Sequence, residues 1–296
     1  MYNNNLEKFR SVLYLPADNR RFIEKAPSLG ADLITLDLED TIPPEKKAGA
    51  RITAAEGLSY IAASNNKVYV RVNGWDTGLT EADLDSVITP GLSGVTLPKT
   101  ATPEDVLRLE DAVADRERHC KMEEGTVKIC LVIESALGVQ NAYSCCKASK
   151  RVSSVIFGAM DYSADMGLKL TEDEDEIFFG RASVALAARA AGAVAIDGPF
   201  QNFANLEGFE RSTIAGKKMG YKGRLSIHPC QIKISNRLYA PTAEEAQHAE
   251  RVINCFENEG LARGKSAVSL DGKFIDLPVY NEAKRVLEEY RNISDD

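Results

Sequence analysis

The sequence predicts an α/β fold, a closed (β/α)8 TIM barrel with a C-terminal extension. Short apolar runs rich in β-branched residues alternate with amphipathic helical segments eight times over about 235 residues, the pattern of parallel strands joined by helices. No G-x-G-x-x-G sequence follows the first run, which disfavours the alternative of an open, doubly wound sheet. No internal repeat or low-complexity linker divides the chain, so we predict a barrel domain at 1–240 and an extension at 241–296.

The predicted strands are the apolar runs bounded by turn residues, at 11–17, 32–38, 67–72, 94–99, 127–134, 153–159, 193–199 and 223–229. Helical periodicity is clearest between them at 102–122, 136–149, 175–191 and 205–219. The acidic run 171–176 is interpreted as a solvated entry to the third of these helices. In the extension, the sequence predicts a helix, a hairpin that turns at Asp271-Gly272, and a last helix whose first residue is Pro278.

Composition narrows the classes of partner. Hydrophobic residues make up 44% and charged residues 27% of the chain, which supports a large buried core and excludes wholesale disorder. The net charge is −8 without a long basic stripe, so neither nucleic acid nor an anionic membrane is expected as the main partner. Six cysteines without CxxC or disulfide-framework spacing, no secretory leader and no long apolar run together predict a cytoplasmic protein.

Polar residues at the carboxyl ends of barrel strands share one mouth, where barrel enzymes carry out their chemistry. By period-two alternation Asp37 and Glu39 lie on one face, beside the strand that carries Arg71 on the same face. Such a charge-matched group is either a structural ion pair or part of a site. Lys99 ends the fourth strand and is the candidate for a rival, Schiff-base aldolase, but acidic neighbours are expected to raise the lysine pKa and so disfavour that chemistry.

Glu134 and Asp161 follow the adjacent fifth and sixth strands and have no lysine or arginine near them in sequence. Two carboxylates at one mouth suit a hard cation that keeps several waters, which describes Mg2+, whereas Zn2+ would need His or Cys ligands. The alternatives are that Glu134 is an acid favoured by the dipole of the next helix and that Asp161 is a turn residue in the loop after strand six.

Four further residues carry candidate chemistry. Arg21 and Lys25 lie one turn apart at the start of the first helix, either as an anion site for phosphates or as an exposed pair. His228 closes the eighth strand. Asp276 precedes Pro278 and, on local grounds alone, is interpreted as a turn or cap acid.

Eight ordered segments, RSVLYLPA, LDLED, VRVN, LPKT, LVIESALG, GAMDYSADMG, IHP and SLDGKFIDLP, together resemble the family of citrate lyase β-subunits, malyl-CoA lyases and citramalyl-CoA lyases. The resemblance covers roughly residues 10–290. It implies a (β/α)8 barrel, a homotrimer or hexamer, and Mg2+-dependent cleavage of a carbon–carbon bond in an acyl thioester. The products would be a small α-oxo acid and an acetyl thioester.

The resemblance also implies roles for individual residues. Glu134 and Asp161 match the Mg2+ ligands, and Arg71 matches the arginine that binds the oxo acid. Asp276 matches the catalytic acid/base, which the extension of a neighbouring subunit contributes in the coenzyme A-type members. The other matches are contacts of coenzyme A or substrate, at Tyr14, Arg21, Lys25, Ile227 and His228.

Two positions depart from the family pattern, of which the first bears on the surroundings of the metal and the second on the substrate. Met160 stands where citrate lyase β-subunits usually have Glu, and His228 stands where they commonly have Asn. The His-Pro pair favours free coenzyme A esters over a carrier-protein thioester. The alternatives are a citrate lyase β-subunit that acts only with acyl-carrier and transferase subunits, and a non-catalytic assembly subunit.

Overall fold

The computed structural model describes residues 9–294, and its main feature is a closed barrel of eight parallel strands in chain order. The strands are β1 (Ser11–Pro16), β2 (Leu33–Asp37), β3 (Val68–Arg71), β4 (Gly94–Leu97), β5 (Lys128–Ile133), β6 (Val152–Phe157), β7 (Val194–Asp197) and β8 (Gly223–Ser226). Pairing of Val12 with Leu225 and of Leu13 with Ser226 closes β1 on β8. Each predicted strand is present within a few residues of its predicted bounds, and the predicted fold class is confirmed.

Helices follow the strands around the barrel. They are α1 (Arg20–Lys25), α2 (Lys47–Ala63), α3 (Thr80–Val87), α4 (Pro103–His119), α5 (Ala136–Ala148), α6 (Ala159–Asp165), α7 (Phe178–Ala191), α8 (Leu206–Met219) and α9 (Pro229–Tyr239). Alternate strand residues fill the interior, in a cluster formed by Phe9, Val12, Tyr14, Leu33, Tyr69, Cys130, Val132, Ile156, Val194, Ile196 and Leu225. The residues that end these strands therefore form one rim.

The acidic run before α7 is not fully solvated, contrary to the sequence interpretation. Glu174 is buried, and its carboxylate accepts a hydrogen bond of 2.7 Å from Arg181 Nη1. Arg181 also pairs with Asp197 at the end of β7. The prediction was wrong because the cationic partners of this run come from later elements of the chain.

The chain divides into two compact units, Met1–Asn236 and Arg237–Asp296. The second unit contains α10 (Ala243–Cys255), the antiparallel hairpin of β9 (Ala267–Leu270) and β10 (Lys273–Asp276), and α11 (Leu277–Ser294). Its core is the apolar set Ala249, Val252, Phe256, Ile275, Tyr280 and Ala283. Asp271 and Gly272 turn the hairpin with φ of 53° and 75°, which confirms the predicted turn.

The last helix begins at Leu277, one residue before the predicted start at Pro278. The reason is Asp276, whose Oδ1 accepts a hydrogen bond of 3.2 Å from the amide of Val279 and so caps the first turn. Asp276 therefore has the local capping role that its sequence context suggested.

Two negative findings concern the described residues. Among residues 9–294, no helix has both the length and the apolar content needed to cross a lipid bilayer. The six cysteines, all of which lie within this range, are free thiols.

Candidate active site

The rim of the barrel holds a buried ion pair between Asp37 and Arg71. These residues end β2 and β3 and are paired in the ladder, so their side chains emerge side by side. Arg71 donates from Nε to Oδ1 and from Nη2 to Oδ2 of Asp37, each at 2.7 Å. Burial raises the pKa of Asp37, but the two hydrogen bonds and the charge of Arg71 outweigh it and leave that pKa below its usual value. The predicted structural ion pair is present and fixes the orientation of the guanidinium.

Glu39 lies beside this pair with both carboxylate oxygens buried. Arg71 Nη1 approaches Oε2 at 2.9 Å and Lys99 Nζ approaches Oε1 at 3.3 Å. Neither oxygen has a well-directed hydrogen bond from any described residue. Burial, with the charges of Asp40 and Asp37, raises the pKa of Glu39 to about 7 despite the two cations. Glu39 can therefore accept or release a proton near neutral pH.

Glu134 follows β5 and is also buried. The N-cap of α5 is Ser135, whose side chain accepts from the amide of Gly138, so Glu134 does not cap the helix itself. Glu134 Oε1 instead accepts a hydrogen bond of 2.6 Å from the backbone amide of Lys99, after β4. Lys99 adopts a left-handed backbone with φ of 52°, which is uncommon for lysine. The chain bends there so that its amide points at Glu134.

Gly158 gives Glu134 its space. A Cβ added at Gly158 would lie 2.4 Å from the Cβ of Glu134 and 2.5 Å from its Oε2. The backbone of Gly158 has φ of −87°, which any residue can adopt, so close approach is the constraint. Neither the close approach at Gly158 nor the backbone role of Lys99 was predicted from the sequence.

Asp161 lies near Glu134 at the same rim. It is in the first turn of α6, which begins directly after β6, and not in a loop as predicted. The strands β5 and β6 pair up to Ile133 and Phe157, so the two acids extend from neighbouring strand ends. Burial, the charges of Glu39 and Asp161 and a hydrogen bond with the Asp161 side chain together raise the pKa of Glu134 to about 8, although the hydrogen bond from the Lys99 amide acts in the opposite direction.

These carboxylates fit a hard divalent cation. Glu134 is buried among acids and has a single backbone donor, so negative charge at this point of the rim is not compensated by the protein. Within residues 9–294, no group of three or more His, Cys, Asp or Glu side chains has the geometry of a metal site. The protein would thus supply two carboxylates and leave the other positions to water and substrate, which is how Mg2+ is commonly held.

Lys99 does not have the character of a Schiff-base lysine. Burial lowers its pKa, but the charges of Glu39, Asp40 and Asp76 prevail and hold that pKa above its ordinary value. A catalytic amine needs the opposite shift, so the expectation that acidic neighbours disfavour this chemistry is confirmed.

The predicted coenzyme A positions occupy two environments. Arg21 and Lys25 are exposed on α1, and no acid of the described chain forms an ion pair with either. Tyr14 is buried in the barrel interior, with its ring centroid 5.4 Å from Cζ of Arg71. The role of all three in binding coenzyme A stays a prediction.

The end of β8 carries the other predicted contacts. Ile227 is 37% exposed, and its amide donates to the buried Oε1 of Gln231 at 2.9 Å. His228 is exposed, and its ring stacks on Phe203 with centroids 4.9 Å apart. Asp276 belongs to the second unit, and its catalytic role stays a prediction.

This chain is similar to known proteins over most of its length. The family model described as HpcH/HpaI aldolase/citrate lyase matches residues 10–229. The citrate lyase subunit beta of Haemophilus influenzae is 35% identical over 283 residues, which cover 96% of this chain and 97% of that protein. The mitochondrial citramalyl-CoA lyase of Rattus norvegicus is 30% identical over 288 residues, covering 94% and 85%.

A solved structure shares the fold over the whole chain. The protein CitE of Mycobacterium tuberculosis, in complex with magnesium, acetoacetate and coenzyme A, aligns with a TM-score of 0.78 and 24% identity. The alignment covers 98% of this chain and 100% of that one.

Proposed function

The chain belongs to the HpcH/HpaI aldolase/citrate lyase family, and from this premise we propose that it is a Mg2+-dependent carbon–carbon lyase. Its substrate class is a 3-hydroxy-3-carboxyacyl thioester, which it cleaves to an α-oxo acid and an acetyl thioester or forms from them. The observation that carries the proposal is the convergence of Glu134 and Asp161 at the rim that also holds Arg71.

Glu134 and Asp161 would hold the cation, and Arg71 would hold the oxo-acid portion. Bound Mg2+ supplies Lewis-acid stabilisation of the negative charge that develops on the 3-oxygen. Arg71 offers Nη1, since Nε and Nη2 are engaged by Asp37. Nη1 lies 2.9 Å from the buried Glu39 and also donates to Oδ2 of Asp40, a side chain that is 56% exposed, at 3.2 Å. A substrate carboxylate can take the place of Asp40 on Arg71.

Glu39 is the group of this rim best placed to take the hydroxyl proton. Its pKa of about 7 matches the requirement for a base that works near neutral pH. Arg71 and Lys99 contact its two oxygens and would stabilise the carboxylate when the proton leaves. Cleavage of the C2–C3 bond then leaves a thioester enolate that needs a proton at carbon.

Asp276 would supply that proton from the second unit of a neighbouring chain. Phe274 and Leu277, two residues before and one residue after Asp276, are 70% and 54% exposed, so the chain next to Asp276 presents apolar side chains to solvent. Such a surface is suited to docking against another copy of the chain. This supports a homo-oligomer, and the family resemblance favours a trimer or hexamer.

The direct test is cleavage of citramalyl-CoA, malyl-CoA and citryl-CoA by the purified chain, with Mg2+ or with EDTA. Release of pyruvate, glyoxylate or oxaloacetate is followed by coupled oxidation of NADH. We expect Mg2+-dependent cleavage of at least one ester. Activity that persists in EDTA would contradict the proposal, as would trapping of an amine adduct by borohydride.

Arg71→Lys separates the substrate role of Arg71 from its structural role. Lysine keeps a positive charge opposite the fully buried Asp37, whereas alanine would leave that carboxylate unpaired and destabilise the fold. We expect the cleavage rate to fall by about 10²–10³ with the fold retained, because the single amine of lysine cannot replace the Nη1 donor while it pairs with Asp37. Unchanged turnover would refute the role.

Asp276→Asn tests the proton donor, with Asp271→Asn in the same hairpin as the matched control. Asparagine can still cap α11, so the second unit should stay folded. We expect the Asp276 variant to bind Mg2+ and acetyl-CoA but to stop exchanging the α-protons of acetyl-CoA with solvent. Exchange at the wild-type rate would contradict the assignment.

A second candidate substrate is a thioester carried on a protein. The identity of 35% with a citrate lyase subunit beta favours it, whereas the His-Pro sequence after β8 favours free coenzyme A esters. In the carrier case the chain would act with acyl-carrier and transferase subunits. Cleavage of a citryl-carrier thioester without cleavage of any free ester would decide for the complex.

A further inference from the structure

A thiol–imidazole pair lies at the end of β8, apart from the carboxylates of the proposed metal site. Sγ of Cys230 is 3.0 Å from Nδ1 of His228. The backbone amide of Cys230 also donates to Nδ1, at 3.3 Å. Both donors approach the same nitrogen, so Nδ1 is the acceptor and the neutral ring carries its hydrogen on Nε2.

The surroundings hold this pair in place. Phe203 stacks on the imidazole at an interplanar angle of 14°. Gln231 is fully buried and is fixed at both ends, donating to the Phe200 carbonyl at 3.1 Å and accepting from Ile227. The first turn of α9, which carries Cys230, is thus anchored and holds the thiol beside the imidazole.

The other cysteines lack such a partner. Cys130, Cys145 and Cys146 are buried, and burial raises the pKa of each thiol to about 12, so they are inert. Cys120 is exposed, and its Sγ lies 3.1 Å from the backbone carbonyl of Ile88. Cys255 is half-buried like Cys230, and each has a backbone carbonyl near its Sγ, that of Ser269 at 3.8 Å and that of Phe203 at 3.7 Å, but only Cys230 also has an imidazole beside it. Cys255 is therefore a control of matched exposure.

We propose that Cys230, activated by His228, is a site of reversible thiolation by low-molecular-weight disulfides at the barrel mouth. A thiol with an adjacent imidazole base is the arrangement that activates cysteine as a nucleophile. His228 is exposed and Cys230 half-buried, so a small disulfide can reach the sulfur.

The exchange is balanced without another oxidant. The thiol proton passes to Nδ1 of His228 as Sγ of Cys230 attacks one sulfur of the disulfide RSSR. The S–S bond of RSSR breaks and a Cys230–S–S–R bond forms, so Cys230 is oxidised and half of the reagent is reduced. The leaving thiolate RS⁻ takes the proton from His228 and departs as RSH.

The expected consequence, which rests on the proposed function, is loss of lyase activity. Cys230 lies two residues beyond His228, a predicted substrate contact, and a disulfide adduct there adds bulk to the mouth that a thioester must enter. Reduction with dithiothreitol would restore the free thiol and the activity.

The primary test measures labelling of the full-length chain, residue by residue, by mass spectrometry. The reagents are iodoacetamide and the uncharged bis(2-hydroxyethyl) disulfide, with a short exposure at neutral pH. We expect Cys230 to react at least about tenfold faster than Cys255, because a general base assists its attack. In His228→Gln the rate at Cys230 should fall to within about twofold of Cys255.

The outcomes separate the inference from the proposed function. Equal rates at Cys230 and Cys255 in the wild-type chain, or no change at Cys230 in His228→Gln, would overturn the inference. Unfolding of the variant would raise labelling at every cysteine, the opposite of the expected fall. Selective labelling of a chain that cleaves no thioester would leave the inference standing and refute the proposed function. In an active chain, Cys230→Ser should keep activity and lose its sensitivity to the disulfide; equal inactivation of this variant would refute the effect on catalysis.

Discussion

A buried glutamate lies near each end of strands β5 and β6, and the two carboxylates have opposite electrostatic environments. At the amino ends, Glu117 of α4 accepts two hydrogen bonds from Arg151, at 2.7 and 3.0 Å, and two from backbone amides before β5. At the carboxyl end, Glu134 accepts one backbone hydrogen bond and faces Asp161 and Glu39. The pKa of Glu117 is lowered by Arg151 and the amides in spite of burial, whereas that of Glu134 is raised to about 8.

The hydrogen bonds and ion pairs of a buried carboxylate distinguish a stabilising role from a functional one in this barrel. A buried acid that contributes to the fold has its charge and its lone pairs satisfied. Glu134 has one backbone donor and no cation paired with it, and an uncompensated buried charge is costly unless a ligand neutralises it. The same isosteric change, glutamate to glutamine, should therefore have opposite effects at the two ends of β5.

Glu117→Gln is expected to have the largest effect on stability. The amide cannot satisfy the buried guanidinium of Arg151, and removing one partner of a buried pair costs about 3–5 kcal/mol. The free energy of unfolding, measured with urea, should fall by this amount. A loss below about 1 kcal/mol would show that the amino end of the barrel does not depend on the pair.

Glu134→Gln is expected to remove activity and leave stability intact. Loss of a charge-stabilising group typically costs about 10²–10³ in rate, or roughly 3 kcal/mol in the transition state. The free energy of unfolding without metal should not fall, because a neutral amide removes the repulsion from Asp161 and Glu39. Added Mg2+ should raise the melting temperature of the wild-type chain but not of this variant. An equal rise in both would refute the ligand role of Glu134.

Gly158→Ala is expected to disturb the carboxyl end of the barrel by steric overlap with Glu134, without a change of charge. The new methyl group would lie 2.4 Å from Cβ of Glu134, so the carboxylate must move, and overpacking of this kind costs about 1–3 kcal/mol. Mg2+ affinity should weaken in parallel. Gly49→Ala, on a helix where an added Cβ meets no atom within 4 Å, is the control and should be neutral or slightly stabilising.

The smallest expected effect is a pH dependence of the stability that Glu117 contributes at the amino end of the barrel. Glu117 has a lowered pKa in the folded chain against an ordinary value of 4.5, so its contribution is complete above that value. It is lost as the pH falls through the lowered pKa, when the carboxylate is protonated in the folded state. The stability difference between wild type and Glu117→Gln should therefore be constant from pH 6 to 8 and shrink below about pH 4. A difference that grew on acidification would contradict this.

The order of strands and helices could be predicted because burial periodicity is a local property of the chain. Alternation also placed Asp37 beside Arg71 correctly, since parallel strands in register bring equivalent positions together. It could not show that Glu134 accepts a hydrogen bond from the amide of Lys99, because that contact joins segments that are distant in the sequence.

Features that depend on close approach between distant segments left no local signal. The space over Gly158 is required by Glu134, and the left-handed backbone of Lys99 is required by the amide that Glu134 accepts. Asp161 was assigned to a loop because α6 has only seven residues, too few for a helical period to stand out.

The central claim is that Glu134 and Asp161 bind a divalent cation. The most direct test is a crystal structure grown with Mn2+ in place of Mg2+, with anomalous data collected near the manganese absorption edge. We predict one anomalous peak per wild-type chain, within bonding distance of a carboxylate oxygen of Glu134 and of Asp161, and no such peak in Glu134→Gln. Mn2+ bound elsewhere in the wild-type chain, or a peak that persists in the variant, would contradict it.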